Sequence, residues 1–280
     1  MTPDRKTWGW CPSVWRPMPL DDGLLARLRP HLARLTAAQL RAVCDSATRL
    51  GTGQIEITNR ASMQIRGLTA ASHAAFLDDM RTADLLDPDL ATETRRSLQV
   101  TPTWTPGDLT FRLAGSFLTR LGDLPALPAK WGYVLDCGTA PCLQDTPGDI
   151  RIEQSTSGLI LRADGAPTGC TVTEDTVWDT AIALGQWALA HITTDHRRMA
   201  QITAQHTLPD RFTGTAPLPA APPNHALHTL TLRPGPISAI ELARAIDQSG
   251  AQAVRLTPWR SMLLEGAQAD ATLRTTETTP

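Results

Sequence analysis

Apolar positions alternate with polar or small ones through Leu24–Leu28, and again at Ile55 and Ile57, the period of a strand with one buried face. Between these strands Leu40, Val43, Cys44 and Ala47 recur at helical spacing. Thr36 and Gln39 stand at the start of that run as a capping box, in which each side chain satisfies an amide at the helix entry. Gly51 and Gly53 follow, and are expected to close the helix in the left-handed conformation that glycine tolerates. The same succession returns late in the chain. A strand pattern begins at Leu227, Ser238 and Glu241 form a second box, and Leu242, Ala245, Ile246 and Ser249 share a helical face. Gly250 follows, then Val254 and Leu256 face inward. The interval Thr58 to Gly67 equals Thr257 to Gly266, with Ser62-Met63 and Ser261-Met262 at matching places. The chain therefore carries an internal repeat, each copy reading strand, helix, strand, strand. A unit of roughly 45 residues leaves one sheet edge unpaired. Two such units can complete one pseudo-two-fold sheet.

A different pattern fills the interval between the copies. Ser72–Leu86 reads as a helix stopped by Asp87-Pro88, and Asp108–Leu121 as another. Trp131–Leu135 and Ile150–Arg162 read as β-hairpin strands, with Gly158 and Asp164-Gly165 as turns. Asp175–Ile192 is a long amphipathic helix. Prolines crowd Ala216–Pro223, the composition of a linker, and beyond Gly266 the chain turns polar and Thr-rich, the composition of a disordered tail. The expected layout is an α+β fold with a first half-domain at 8–70, a middle α/β segment at 71–208, a linker at 209–224, a second half-domain at 225–267 and a tail at 268–280.

Composition narrows the chemistry. With 41% hydrophobic and 19% charged residues the 280-residue chain reads as globular, and a net charge of −2 offers no electrostatic case for nucleic acid or a membrane surface. The longest apolar run, Ala181–Ile192, is cut by Gln186 and His191 and falls short of a span. No apolar stretch follows the charges of Asp4, Arg5 and Lys6, so a secretory leader is not expected and cytoplasm is the default. Five scattered cysteines make no disulfide framework. Cys137 and Cys142, with Cys170, are too few for a four-thiolate cluster, and His191 and His196 have no carboxylate at a spacing that completes a metal site. There is no dinucleotide-binding glycine run, phosphate loop or serine nucleophile elbow. Asp136 reads as a turn residue, and Trp8, Trp10 and Trp15 as core or interface residues.

The run from Arg16-Pro17-Met18-Pro19 through Asp22-Gly23 and Leu28-Arg29-Pro30 to Thr58-Asn59-Arg60 and Gln64-Ile65-Arg66-Gly67 resembles the ferredoxin-like half-domain of sulfite and nitrite reductases. Arg96-Ser97-Leu98-Gln99-Val100-Thr101-Pro102 and Leu127-Pro128-Ala129-Lys130-Trp131-Gly132 follow in family order. Thr257-Pro258-Trp259-Arg260-Ser261-Met262 is similar to the second half-domain of the branch that hydroxylates a precorrin with oxygen during cobalamin synthesis. The resemblance implies two ferredoxin-like half-domains and an oxidoreductase of monooxygenase type acting on a tetrapyrrole, or a cluster-free tetrapyrrole-binding member of the family. It ranks a sulfite or nitrite reductase third. It implies Arg60 and Arg96 as anion-binding arginines and Lys130 as an active-site lysine, with Arg66 a further substrate-binding candidate; no catalytic residue is assigned. Gly132 stands where the family's second lysine does. The family's 4Fe-4S cluster takes four cysteines in Cys-x5-Cys and Cys-x3-Cys pairs beyond the second half-domain, and none follows Gly266 here. The implied cluster would come from an electron-donor or cluster-bearing partner protein.

Overall fold

The computed structural model describes residues 10–138, 140–221, 227–232 and 235–273. Trp8, Arg233, Pro234 and parts of the expected linker and tail lie outside them. The first half-domain comprises β1 (Met18–Leu20), β2 (Gly23–Leu28), β3 (Arg34–Thr36), α1 (Ala37–Leu50), β4 (Gln54–Ile57) and β5 (Met63–Leu68). The middle segment follows with α2 (Ala70–Thr82), α3 (Leu90–Arg95), β6 (Leu98–Val100), α4 (Leu109–Thr119), β7 (Tyr133–Asp136), β8 (Ile150–Ser155), β9 (Gly158–Ala163), β10 (Cys170–Thr171), α5 (Val177–Leu189) and α6 (Met199–Thr203). The second half-domain holds β11 (His228–Leu232), β12 (Ile237–Ser238), α7 (Ala239–Ser249), β13 (Ala253–Leu256), β14 (Met262–Glu265) and β15 (Ala271–Leu273).

The repeat is real in three dimensions, and its two sheets exchange strands. One sheet runs β1-β2-β5-β4-β12 and the other β15-β11-β14-β13-β3. Each half thus lends a short strand to the open edge of the other: Ile237 pairs with Ile55, and Leu35 pairs with Val254. The junction is reciprocal down to single bonds, Ala37 N donating to Gln252 O and Ala239 N to Gly53 O, both at 2.9 Å. Thr58 and Thr257 occupy equivalent turns. Each accepts at its carbonyl from a left-handed residue three positions on, Ala61 (φ 49°) or Arg260 (φ 62°). Leu40, Val43, Ile55 and Ile65 share one buried core with Leu242, Ile246, Val254 and Leu264. The exchange therefore covers the β4 and β13 edges and buries α1 against α7 in the same step.

Local chemistry explains most boundaries. The Thr36–Gln39 box is complete, whereas Ser238 only accepts from Glu241 N at 3.4 Å and Glu241 Oε2 has no partner among the described residues. Gly53 and Gly250 are left-handed, at φ 71° and 67°. Gly51 is not: its φ is −130°, and glycine is needed there because a Cβ would lie 2.4 Å from the Arg66 carbonyl oxygen. Gly51→Ala is expected to cost about 1–3 kcal/mol as that backbone contact is forced apart, read as a lowered urea midpoint at constant slope.

The middle segment builds a third sheet, β10-β9-β8-β7-β6, over a separate core that includes Phe117, Trp178, Leu135 and Leu161. β8 and β9 form the expected hairpin, but β7 runs parallel to both β6 and β8, so the Trp131 strand is not part of a hairpin. α2 ends at Thr82, before Asp87, because Asp84 takes a left-handed conformation (φ 56°) and Leu85 N donates back to Met80 O at 2.9 Å. The proline-rich stretch is strapped across the sheet rather than hanging free: Gly169 bridges Thr215, and Leu218 N donates to Gln154 O at 2.8 Å. Residues 271–273 of the expected tail instead form β15, parallel to β11, because Ala271 and Leu273 cover the edge of the second half's sheet.

Candidate functional site

Alternation along β2 buries Ala26 and Leu28 in the half-domain core and turns Arg27, with Arg29 just beyond the strand, to the other face. The tight turn after β4 adds a third guanidinium. Thr58 N donates to Ser62 O at 2.9 Å, and the Arg60 amide donates to Thr58 Oγ1 at 3.2 Å, fixing the backbone from which Arg60 projects. Arg27, Arg29 and Arg60 line one narrow cavity of about 20 Å³ with Cys11, Ser97 and Gln99. Arg29 and Arg60 also reach an adjoining cavity of about 30 Å³, where His31 and Arg96 stand opposite apolar Leu98 and Val100. Each holds little more than a water molecule and so is sized for a carboxylate head or a small oxyanion, not a macrocycle.

The electrostatics suit an anion. Desolvation lowers the Arg29 pKa to about 10, with Glu93 offsetting part of the effect and Arg27 and Arg96 adding to it. Desolvation also lowers Arg60; nearby Arg198 and Arg27 push it the same way, and Asp149 and Cys11 oppose. Arg60 forms no ion pair among the described residues, and neither does Arg27, whose Nε is buried without a hydrogen-bond partner there. Cations held out of water without a counter-charge gain most from an entering anion.

The structure sorts the residues expected to bind substrate. Arg60 and Arg96 come together at the second cavity. Arg96, however, is committed internally: its Nε and Nη2 clasp Asp87 at 2.7–3.1 Å, and Nη2 also donates to Arg29 O at 2.6 Å. Lys130 is exposed, on the loop beside Ala129, which lines the first cavity. Arg66 lines neither cavity and pairs with Asp22 at 2.9 Å toward the other end of its strand. Gly132 matters for the space it leaves, since a Cβ there would lie 3.2 Å from Ser97 Oγ and 3.5 Å from Arg60 Nη1. Arg27 and Arg29, which sequence reasoning passed over, carried a signal: they are two apart on the polar face of a recognised strand. Asp136, expected as a turn residue, is instead the last residue of β7, fully buried and accepting from the Cys142 and Leu143 amides at 3.1 and 2.8 Å.

The cysteines do not fit a 4Fe-4S cluster. Cys44 sits in the half-domain core, Cys137 and Cys170 face the Ile152 and Leu161 carbonyls, Cys142 lies against Thr101, and Cys11 lines the arginine cavity. Among the described residues no three His, Cys, Asp or Glu side chains converge as a metal site. Burial pushes the Cys44 thiol up to about 12 and Cys142 to about 11, and Cys137 is raised further, so the thiolates a cluster needs are disfavoured. Native protein at pH 8 is therefore expected to leave Cys44 and Cys137 unmodified by iodoacetamide while urea-unfolded chains react at all five cysteines. Rapid alkylation of Cys44 in the folded state would contradict this. No described helix is long and apolar enough to cross a membrane.

Comparison with known proteins places these features. Residues 17–83 match the nitrite/sulfite reductase ferredoxin-like half domain. A precorrin-3B synthase of a Sinorhizobium species is 37% identical over 114 residues, covering 33% of this chain and 25% of that protein. The Mycobacterium tuberculosis NirA protein superposes with a TM-score of 0.60 over 87% of this chain and 54% of that one, at 14% identity, a likeness of fold alone. The matches span about a quarter of the curated relative and about half of the solved one.

Proposed function

We propose, on the match of residues 17–83 to the nitrite/sulfite reductase ferredoxin-like half domain, that the chain holds a polycarboxylate tetrapyrrole for a precorrin-3B synthase-like oxidoreductase of aerobic cobalamin biosynthesis. The observation that carries this reading is Arg60, a desolvated guanidinium without a carboxylate partner among the described residues, beside Arg27 and Arg29 in a slot of carboxylate size. In this reading one acetate or propionate arm enters the slot and the macrocycle lies outside it. Planar guanidinium forks then fix the ring's orientation through its arms. Lys130, exposed on the adjacent loop, meets a second arm as a point charge.

Oxygen-dependent hydroxylation of the macrocycle requires electrons, and the cysteine placement does not suit a cluster, so the donor is assigned to a separate electron-carrying protein. The same placement favours a second reading, a cluster-free tetrapyrrole-binding member that presents its ligand to another enzyme. A free oxyanion, the ligand of a sulfite or nitrite reductase, ranks third because Gly132 stands where the family's second lysine does and so brings no cation to the site beside Arg60.

Calorimetry with uroporphyrin III, and separately with sulfite, tests the site. Arg60→Ala is expected to weaken uroporphyrin binding by about 2–4 kcal/mol, or roughly 30- to 1000-fold, since truncation leaves a carboxylate unpaired. Arg60→Lys should recover only part of the loss. If Arg60→Ala binds uroporphyrin like the wild type, the slot is not the site. Sulfite binding without uroporphyrin binding would favour the third reading. Turnover of a precorrin with an added reductase separates the enzyme from the carrier.

A further inference from the structure

A third, larger cavity lies beside Ser97, which lines both it and the arginine slot. It is a half-open bay of about 430 Å³ between α3, the loop 124–131 and the start of β7, within the range of small-molecule sites. Leu90, Leu124, Leu127 and Trp131 supply apolar walls, and Arg16 and Arg95 stand at its rim. The loop that roofs it is held in place: Pro125 packs against α5 where a Cβ on Gly185 would come within 2.7 Å of its ring, and Trp131 Nε1 donates to Arg197 O at 2.6 Å. The bay is therefore preformed.

Tyr133 makes it more than an apolar dent. Its side chain lines the bay, it is only 4% exposed, and its ring packs edge-on against Phe117 at 5.2 Å. Yet its hydroxyl is buried with no hydrogen-bond partner among the described residues. A buried polar group left unpaired is costly, and the large majority in folded proteins are paired. Burial, with Asp149 adding to it, raises the phenol pKa, so the hydroxyl is a neutral donor near pH 7. At the rim, Arg95 donates to the Leu121 and Gly122 carbonyls at 3.3 and 3.2 Å, and neither it nor Arg16 is ion-paired among the described residues.

We propose that this bay binds a planar aromatic monocarboxylic acid whose ring lies among Leu90, Leu124, Leu127 and Trp131, whose carboxylate meets Arg16 and Arg95, and whose ring substituent accepts a hydrogen bond from Tyr133. The assignment stands independently of the tetrapyrrole reading, because the slot and the bay use different arginines.

The test uses 6-methoxy-2-naphthoate on the full chain, followed by calorimetry and tryptophan fluorescence, with its carboxamide and the unsubstituted 2-naphthoate as comparators. The expected result is one saturable site per chain, with the carboxamide bound about tenfold more weakly or worse. Arg95→Gln should bring acid and amide to similar affinity. Tyr133→Phe should remove the roughly two- to tenfold advantage of the methoxy compound over 2-naphthoate. It should leave the ligand-free melting temperature unchanged or higher, because it deletes an unpaired hydroxyl, whereas a hydroxyl with a structural partner would lower it on removal. Ala91→Trp, an exposed position on α3 that lines the bay, should block binding while the protein keeps its melting temperature; Ala126→Trp on the loop repeats the block from the opposite wall. Absence of saturable binding, equal affinity for acid and amide in the wild type, or full binding by both tryptophan variants would overturn the proposal.

Discussion

Arg96→Ala is expected to lower the unfolding free energy by about 3–5 kcal/mol, because it strips a buried carboxylate of its counter-charge. The Arg96 and Asp87 side chains are 7% and 4% exposed, and the guanidinium holds Asp87 through three contacts of 2.7–3.1 Å. The same group donates to Arg29 O, so its loss also frees the backbone from which Arg29 enters the anion slot. Chemical denaturation should show a lower midpoint with little change in slope. The double variant Arg96→Met with Asp87→Leu should recover much of the loss, since burying apolar side chains in place of an ion pair is often neutral. A single variant with wild-type stability and weakened uroporphyrin binding would instead make Arg96 a direct ligand of the anion, as the resemblance implied.

Asp149→Ala should be comparably severe. Its fully buried carboxylate accepts from Gly132 N and Met199 N at 3.0 Å and from Arg198 Nε and Nη2 at 2.8 Å. Removal leaves two backbone donors and a guanidinium without their acceptor, a loss of about 3–5 kcal/mol by the measure of broken buried pairs. Asp149→Asn retains an acceptor and should cost less. Because Asp149 ties α6 to the strand that begins after Gly132, hydrogen exchange should rise at Met199 and Gly132 before it rises in the half-domain core. Uniform protection loss across the chain would show that the carboxylate is not a local clamp.

The half-domains were legible because their signals are redundant. Alternation, capping side chains and a repeated Thr-to-Gly interval all point to the same four elements. The exchanged strands were not legible. Arg34–Thr36 and Ile237–Ser238 are too short to show a period, and their partners lie in the other copy. The orientation of β7 was hidden for a related reason, since alternation reports a buried face and not the direction of the neighbour. Ala271–Leu273 reads as polar tail because it is too short to show a period and lies among polar, Thr-rich neighbours. At the site, motif matching pointed to Arg60 and Arg96 alike and gave no sign that Arg96 is clasped by Asp87, which lies just nine positions away and forms no motif with it. Arg27 and Arg29 are marked by strand period alone, two apart on the polar face of β2 and its continuation.

The strand exchange has a consequence for synthesis on the ribosome. β4 finds its outer neighbour in β12, with Ile55 and Ile237 about 180 positions apart, so the first half-domain's edge has no cover when it emerges. At typical translation rates that edge waits roughly 10–40 s for its partner strand. During the wait, Ile55 and Ile57 belong to a strand able to pair with another nascent chain. Contacts this distant also slow the final docking, because loop closure must precede the reward of pairing. Expression at lower temperature or with added chaperone should therefore raise soluble yield more than it raises equilibrium stability, and ribosome-bound chains ending before β12 should resist proteolysis poorly in residues 24–68.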